Sequence, residues 1–211
     1  MKSAGPHKGR GAVVSPDGRF DAWRREPAED GWWNEDEEAP ATELIVDSVK
    51  SVITYNDSPD IPYDRSINPY RGCEHGCAYC FARPSHAYLG LSPGLDFETK
   101  LAWKADAAAI LRRELAKPSY VCRSVALGIN TDAWQPVERR LRVTRGILDV
   151  LAEARHPVTI VTKSALILRD LDLLAEMARG NLVHVAVSIT TLDPALARTM
   201  EPRAPSPRRR L

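Results

Sequence analysis

The chain has 211 residues, 44% of them hydrophobic, and a formal net charge of +1 at pH 7. This length can bury the core of one domain, and the balanced charge gives no sign of a nucleic-acid partner. No apolar run approaches the roughly 18–20 residues of a membrane span, and the N-terminus has no secretory signal. Most of its 4 cysteines lie in one short stretch, which is no disulfide framework. We therefore predict a soluble, cytoplasmic protein with no membrane partner.

The first part of the chain, residues 1–42, is rich in glycine, proline and charge. Such a segment buries too little apolar surface to offset its ordering entropy, so we predict a poorly ordered, disordered N-terminal arm. Trp23, Trp32 and Trp33 predict a contact between this arm and the domain, with partner binding as the alternative. Residues 43–211 are predicted to form the folded domain.

The predicted elements follow one another from residue 45 onwards. Apolar residues from Ile45 to Ile53 predict an extended or helical lead-in, and the prolines of 56–64 predict a loop. Residues 66–70 predict a short strand that leads into the cysteine-rich stretch. Periodicity and capping residues then predict, in order, a strand over 97–103, a helix capped by Asp106, a strand over 124–128, a helix over 141–154, a strand over 158–162, a helix capped by Asp170, a strand over 183–188, and a helix from Asp193 to about Met200.

Strands that alternate with helices indicate βαβ units and a parallel sheet. The four or five predicted strands are too few to close an eight-stranded barrel. The chain stops at Leu211, where a further strand and helix are expected. The sequence therefore predicts an α/β fold that is either C-terminally shortened or a half barrel that needs a partner.

One short loop carries the chemistry, because Cys73, Cys77 and Cys80 follow the spacing Cys-x3-Cys-x2-Cys. Gly72 and Gly76 allow the backbone to curl around a metal centre. Thiolates select zinc, copper(I) or iron–sulfur clusters. A structural zinc site takes four protein ligands, and an ordinary [4Fe–4S] cluster takes four cysteines. Three cysteines therefore leave one iron of a cluster open to another ligand.

Two alternatives remain open from the loop alone. The first is a zinc knuckle completed by His75 or Cys122. The second is a group of unrelated thiols, since short motifs carry a false-positive risk.

With Tyr79 directly before the last cysteine, the loop resembles the signature of the radical S-adenosylmethionine enzymes. Residues 68–84 are similar to the spore-photoproduct-lyase-like branch of that superfamily. Further similar runs lie at 96–100, 131–138 and 161–164, and runs at 8–12, 16–20 and 57–60 resemble an uncharacterised bacterial subgroup of the branch. The resemblance implies a partial, TIM-like (β/α)6 barrel, of which this chain holds about the first two-thirds.

The resemblance also implies cofactors and their ligands. It implies a [4Fe–4S] cluster bound by the three cysteines and S-adenosylmethionine chelated to the open iron. Lys163 would contact the carboxylate of S-adenosylmethionine, and Ser188 would contact its ribose. Tyr79 would lie over the cluster or near the adenine, and Asn130 and Thr131 would line the same pocket. Asp132, Gln135 and Glu138 would reach toward the substrate, with a helix cap as the ordinary alternative; no catalytic residue is assigned.

One departure limits the comparison. Spore photoproduct lyase has a hydrogen-donating cysteine shortly before the aspartate of this loop, where this chain has residues 129–131, Ile-Asn-Thr. Repair of DNA photoproducts is therefore not implied. We predict Cys122 to be a small buried hydrophobe, His184 to be a satisfied core histidine, and His75 to be solvated or bonded to backbone.

The sequence thus favours a radical S-adenosylmethionine enzyme, lyase-like, that abstracts hydrogen from an unknown substrate. Its electron would come from an external donor of the flavodoxin or ferredoxin type. Nucleic acid enters as a partner only by family analogy. The alternatives are a truncated, inactive fragment that still binds the cluster, and a zinc-binding module that interacts with nucleic acid.

Overall fold

The computed structural model of the chain describes residues 9–21 and 41–211. The predicted contacts of Trp23, Trp32 and Trp33 lie outside the described residues. The strands are β1 (Glu43–Val46), β2 (Ile53–Tyr55), β3 (Arg65–Ile67), β4 (Tyr70–Arg71), β5 (Lys100–Trp103), β6 (Val125–Leu127), β7 (Val158–Thr162) and β8 (Val183–Val187). The helices are α1 (Leu95–Thr99), α2 (Ala107–Leu115), α3 (Glu138–Leu141), α4 (Val143–Glu153), α5 (Leu171–Arg179), α6 (Pro194–Met200) and α7 (Pro207–Arg210), with 3₁₀ helices over Arg83–Leu89 and Ala165–Asp170.

The strands form two sheets. The larger has the order β2-β3-β6-β7-β8, in which β3, β6, β7 and β8 are parallel and β2 is antiparallel at one edge. The smaller has the order β1-β5-β4. Neither sheet closes on itself in the described part of the chain. The predicted α/β arrangement with parallel strands is therefore confirmed, whereas the barrel stays a prediction.

The core lies between the larger sheet and its helices. All of β6 is buried, and α2 packs against α4. Ile147, Leu148 and Leu151, which the periodicity places on the inner face of the predicted helix, are all 0% exposed. Each such side chain contributes about 1.5–3 kcal/mol of burial free energy. The core thus packs against β6 and most of β7.

One predicted strand is partly wrong. Residues 97–99 belong to helix α1 and only 100–103 form a strand. The Thr99 hydroxyl donates to the Leu95 carbonyl at 2.8 Å, and the Asp96 carboxylate accepts from Ser92 N at 2.9 Å. These local bonds stabilise a helical turn, although Phe97 and Thr99 alternate as in a strand.

Residues 9–21 lie against the domain. The N–H groups of Gly11 and Ala12 donate to the carboxylate of Glu98 at 3.0 and 2.8 Å. The Ser92 hydroxyl donates to the Pro16 carbonyl at 2.5 Å. This part of the predicted arm is therefore bound to the domain, and the order of the remaining arm residues stays a prediction.

Two predicted burials are wrong. Cys122 is exposed because it precedes β6, where the chain runs over the surface between exposed Val121 and Arg123. His184 is exposed because β8 is the edge strand of the larger sheet in the described part of the chain. Among the described residues, no helix combines the length and apolar character needed to cross a membrane.

Candidate functional site

The cysteine loop faces the carboxyl ends of the parallel strands β6 and β7. Loops at such strand ends are the usual place for ligands in open α/β sheets. Here they enclose a cavity of about 180 Å³. It is lined by Cys73, His75, Cys77, Tyr79, Cys80, Phe81, Gly128, Ile129, Asn130, Thr131, Asp132, Val161, Thr162 and Lys163.

Two glycines allow the loop to curl as predicted. Gly72 and Gly76 have φ angles of 82° and 64°, in the left-handed region that favours glycine. A Cβ on Gly72 would lie 2.8 Å from the Phe97 carbonyl oxygen, and one on Gly76 would lie 2.7 Å from Oε2 of Glu98. A side chain at Gly72 would therefore clash with the backbone of α1, and one at Gly76 would displace the Glu98 carboxylate.

A buried ion pair between Arg83 and Glu98 stabilises the cysteine loop. Nη2 of Arg83 lies 2.5 Å from Oε1 of Glu98, whose side chain is 0% exposed. The same guanidinium donates to the Cys77 carbonyl from Nε and Nη2 at 3.1 and 3.0 Å. Because the Glu98 carboxylate also accepts from residues 11 and 12, one buried charge joins the loop, α1 and the N-terminal segment.

Gln135 holds the loop from another side. Its carbonyl oxygen accepts from Glu74 N at 2.8 Å, and its amide donates to the Gly72 carbonyl at 3.1 Å. Glu138 is equally buried and accepts from the Tyr70 hydroxyl and from Arg169. Neither side chain lines the cavity, and both stabilise the scaffold. The reach of Gln135 and Glu138 toward substrate stays a prediction.

Asp132 lines the cavity, but its oxygens are used to join three loops. It accepts from the Thr162 hydroxyl and from Lys163 N, both at 2.8 Å, and lies 3.4 Å from Nδ1 of His75. Burial disfavours protonation of His75, but Asp132 outweighs it and raises the pKa of the imidazole to about 10. Burial likewise disfavours the Asp132 carboxylate, but His75 and the hydrogen-bond donors lower its pKa. The prediction of a solvated or backbone-bonded His75 is therefore wrong, because this ring is buried against a carboxylate.

The three thiols of the loop share one cavity. Burial raises the pKa of Cys77 to about 12 and also raises that of Cys80. Burial therefore favours the protonated thiols of Cys77 and Cys80, and metal binding would release their protons.

The described residues do not form the ligand set of a single metal ion. A zinc ion needs four donors at about 2.0–2.3 Å from one point, and no group of three or more potential ligands in the described part of the chain is so placed. Cys122 precedes β6, whereas the cavity lies beyond the carboxyl end of that strand. Nδ1 of His75 faces the Asp132 carboxylate, and the ring also contacts Cys73. Thiolates of an iron–sulfur cluster bind separate irons, so they surround a cavity instead of meeting at a point.

Lys163 and Tyr79 form the outer wall of the cavity. Nζ of Lys163 lies 5.8 Å from the centroid of the Tyr79 ring, a cation–π distance. The Tyr79 hydroxyl bonds to Glu201 and to Thr190, the latter at 2.9 Å. The Glu201 carboxylate is in turn paired with buried Arg210 at 2.5 Å. The C-terminal segment, residues 201–211, thus fixes the aromatic ring of Tyr79 beside the cysteines.

The remaining predicted site residues fall into two groups. Asn130 and Thr131 line the cavity, although the Thr131 hydroxyl donates to the Tyr70 carbonyl at 2.9 Å. Ser188 does not line it: its N–H donates to the Thr162 carbonyl at 2.8 Å, and its carbonyl accepts from Arg210 at 3.1 Å. Ser188 therefore lies at the next strand end, outside the enclosed space.

Sequence reasoning missed three residues that position the loop: Arg83, Glu98 and Glu201. No spacing rule distinguishes them from solvated charges. The available signal was weak, since Arg83 follows Cys80 closely and Glu98 lies in a run that resembles the same branch.

The model of the Radical SAM superfamily matches residues 67–211, which include the cysteine loop and all four parallel strands except the first residues of β3. An uncharacterised protein of Mycobacterium tuberculosis, Rv2578c, is 47% identical over 151 residues, or 72% of this chain and 44% of the relative. The match therefore spans less than half the length of that relative.

More distant relatives occur outside the bacteria. An uncharacterised protein of Methanocaldococcus jannaschii, MJ0683, is 28% identical over 169 residues, covering 80% of this chain and 60% of the relative. An uncharacterised protein of Acidianus two-tailed virus, ORF301, is 27% identical over 161 residues, covering 69% and 48%. No solved structure is significantly similar to the chain. The match over residues 67–211 shows that this chain belongs to the Radical SAM superfamily.

Proposed function

We propose that this protein binds a [4Fe–4S] cluster through Cys73, Cys77 and Cys80 and reductively cleaves S-adenosylmethionine. When bound, the cluster would supply one electron to the sulfonium, and the resulting 5′-deoxyadenosyl radical would abstract hydrogen from a substrate. The observation that carries this proposal is the meeting of three thiols and one lysine at a single cavity. Three sulfur donors leave a coordination position for the amino acid part of S-adenosylmethionine.

The chain's own residues would bind and orient that second cofactor. The Lys163 ammonium faces the cavity and provides a positive charge for the carboxylate of S-adenosylmethionine. The Tyr79 ring lines the cavity and is held by the bond from its hydroxyl to Glu201, so it would shield a bound cofactor from water on that side. Asn130 offers an amide to the adenosine part, and we retain Ser188 as a ribose contact because it follows the adjacent strand β8.

We further propose that the protein belongs to one branch of the superfamily. The runs around the cysteine loop support a lyase-like member of the spore-photoproduct-lyase-like branch, acting in the cytoplasm with an external flavodoxin or ferredoxin as reductant. Residues 129–131 line the cavity without a thiol. A substrate radical would therefore have no cysteine hydrogen donor at that position.

The test is the production of 5′-deoxyadenosine. The protein is reconstituted anaerobically with iron and sulfide and incubated with dithionite and S-adenosylmethionine. Wild type and Cys122→Ala are expected to hold about four irons per chain and to form 5′-deoxyadenosine. Cys77→Ala is expected to lose the product, because its cavity has only two thiolates.

Each other result favours a different function. A cluster without 5′-deoxyadenosine would favour a cluster-binding, inactive protein. Stoichiometric zinc without iron would favour a zinc module, and the Cys122→Ala variant would then show whether that thiol is a ligand.

A further inference from the structure

A second cleft, of about 440 Å³, lies on the other side of His75 from the cysteine cavity. Four arginines from three separate parts of the chain line it, and none of its described lining residues carries a carboxylate. They are Arg139 of α3, Arg169 of the second 3₁₀ helix, and Arg203 and Arg209 of the C-terminal segment.

Two of these arginines are already paired. Arg169 lies 2.8 Å from one buried carboxylate and 2.7 Å from a second, and Arg203 lies 3.1 Å from a third. The carboxylates are Glu138, Asp170 and Glu74. Arg139 and Arg209 are exposed and have no ion pair within the described part of the chain. Two positive charges at the mouth of the cleft are therefore uncompensated, while the paired arginines form its fixed wall.

We propose that this cleft binds the phosphate group of a small molecule. Guanidinium groups are planar, always charged, and match phosphate oxygens with two parallel hydrogen bonds. The volume lies within the range of small-molecule sites, about 300–1,000 Å³. The net charge of the whole chain is only +1, so the chain as a whole lacks the strong positive charge of a nucleic-acid footprint, whereas this cleft has four arginines and no lining carboxylate among the described residues.

The position of the cleft relates it to the cysteine loop. His75 lines both spaces, and its carbonyl accepts from Arg203 N at 3.3 Å. A ligand held by its phosphate here would extend along the loop that carries the cysteines. That this ligand is the substrate rests on the proposed function, whereas the phosphate binding does not.

The test measures the binding of inorganic pyrophosphate by calorimetry at low salt. The double variant Arg139→Gln/Arg209→Gln is expected to weaken binding at least about tenfold, because each substitution removes a charged hydrogen-bond donor to the phosphate oxygens. The matched control is Arg140→Gln/Arg208→Gln, because these exposed neighbours do not line the cleft. The control is expected to bind within about twofold of wild type, allowing for the screened effect of distant charges.

Three results would overturn the proposal. The first is no pyrophosphate binding by wild type, and the second is an equal loss of binding in both double variants. The third is that wild type binds a single-stranded oligonucleotide more tightly than pyrophosphate and that both double variants weaken the oligonucleotide binding. The four substituted arginines are exposed, so we expect both double variants to fold. Circular dichroism of each variant tests whether unfolding causes a loss of binding. Pyrophosphate binding without 5′-deoxyadenosine formation would support the phosphate site and contradict the proposed function. Formation of 5′-deoxyadenosine without pyrophosphate binding would support the proposed function and contradict the phosphate site.

Discussion

Replacing Arg83 with methionine tests how the cysteine loop is held. The Arg83 side chain is 12% exposed and that of its partner Glu98 is 0% exposed. Removing one member of a buried ion pair leaves an uncompensated charge and costs about 3–5 kcal/mol. The substitution also removes the hydrogen bonds from Arg83 to the Cys77 carbonyl, and this loss is part of the cost of breaking the buried pair and is not added to it. We therefore expect Arg83→Met to lower the free energy of unfolding by about 3–5 kcal/mol.

The matched control is Arg112→Met. Arg112 and Glu153 lie 2.6 Å apart, but their side chains are 57% and 61% exposed. An exposed pair is worth about 0–1 kcal/mol, because water screens both charges. Urea unfolding of the metal-free proteins gives the difference from the midpoint, provided the slope is unchanged. If the two variants lose the same stability, burial of the Arg83 pair does not stabilise the loop and the reasoning is refuted.

Three further predictions concern Gln135, Lys104 and the cysteines. Gln135→Leu should lower the free energy of unfolding by about 2–6 kcal/mol, since two buried backbone groups lose their partners at about 1–3 kcal/mol each. Thermal unfolding measures the loss, and a change below about 0.5 kcal/mol would contradict it. Burial lowers the pKa of Lys104 to about 8 from 10.5, despite nearby Asp47. Between these two pKa values the unfolded chain binds more protons than the folded one, so the free energy of unfolding of wild type should rise from pH 8 to pH 10 relative to that of Lys104→Met. A difference in urea midpoint between the two proteins that is the same at both pH values would argue against this. Exposed Cys122 should react with iodoacetamide faster than buried Cys77 in the metal-free protein; peptide mapping that finds Cys77 modified first would reverse this expectation.

The parallel sheet was predictable because each strand has a local pattern. The β-branched run of β7 reads as a buried strand, and the structure gives it the predicted bounds, Val158–Thr162. Helix α6 begins as predicted, because the Asp193 carboxylate caps it by accepting from Ala195 N at 2.7 Å. Local hydrogen bonds decide the conformation at Phe97, because the Thr99 and Asp96 side chains stabilise a helical turn where the alternation of apolar residues predicts a strand.

The candidate site was predictable where residues follow strand ends. Lys163 lies directly after β7, and Asn130 follows β6 closely. Because these strands are parallel neighbours, both residues reach the cavity of the three cysteines. The roles of Glu98 and Gln135 depend on partners far along the chain, and no local pattern encodes these contacts. The same holds for the arginine-lined cleft, whose members come from three separate elements.

The most direct measurement is the electron paramagnetic resonance spectrum of the reduced, reconstituted protein before and after S-adenosylmethionine is added. Because a three-cysteine cluster has one iron open to the cofactor, we predict an iron–sulfur signal that S-adenosylmethionine changes in wild type and in Cys122→Ala. An unchanged signal, or a protein that takes up zinc and no iron, would contradict the assignment of Cys73, Cys77 and Cys80 as ligands of an open cluster.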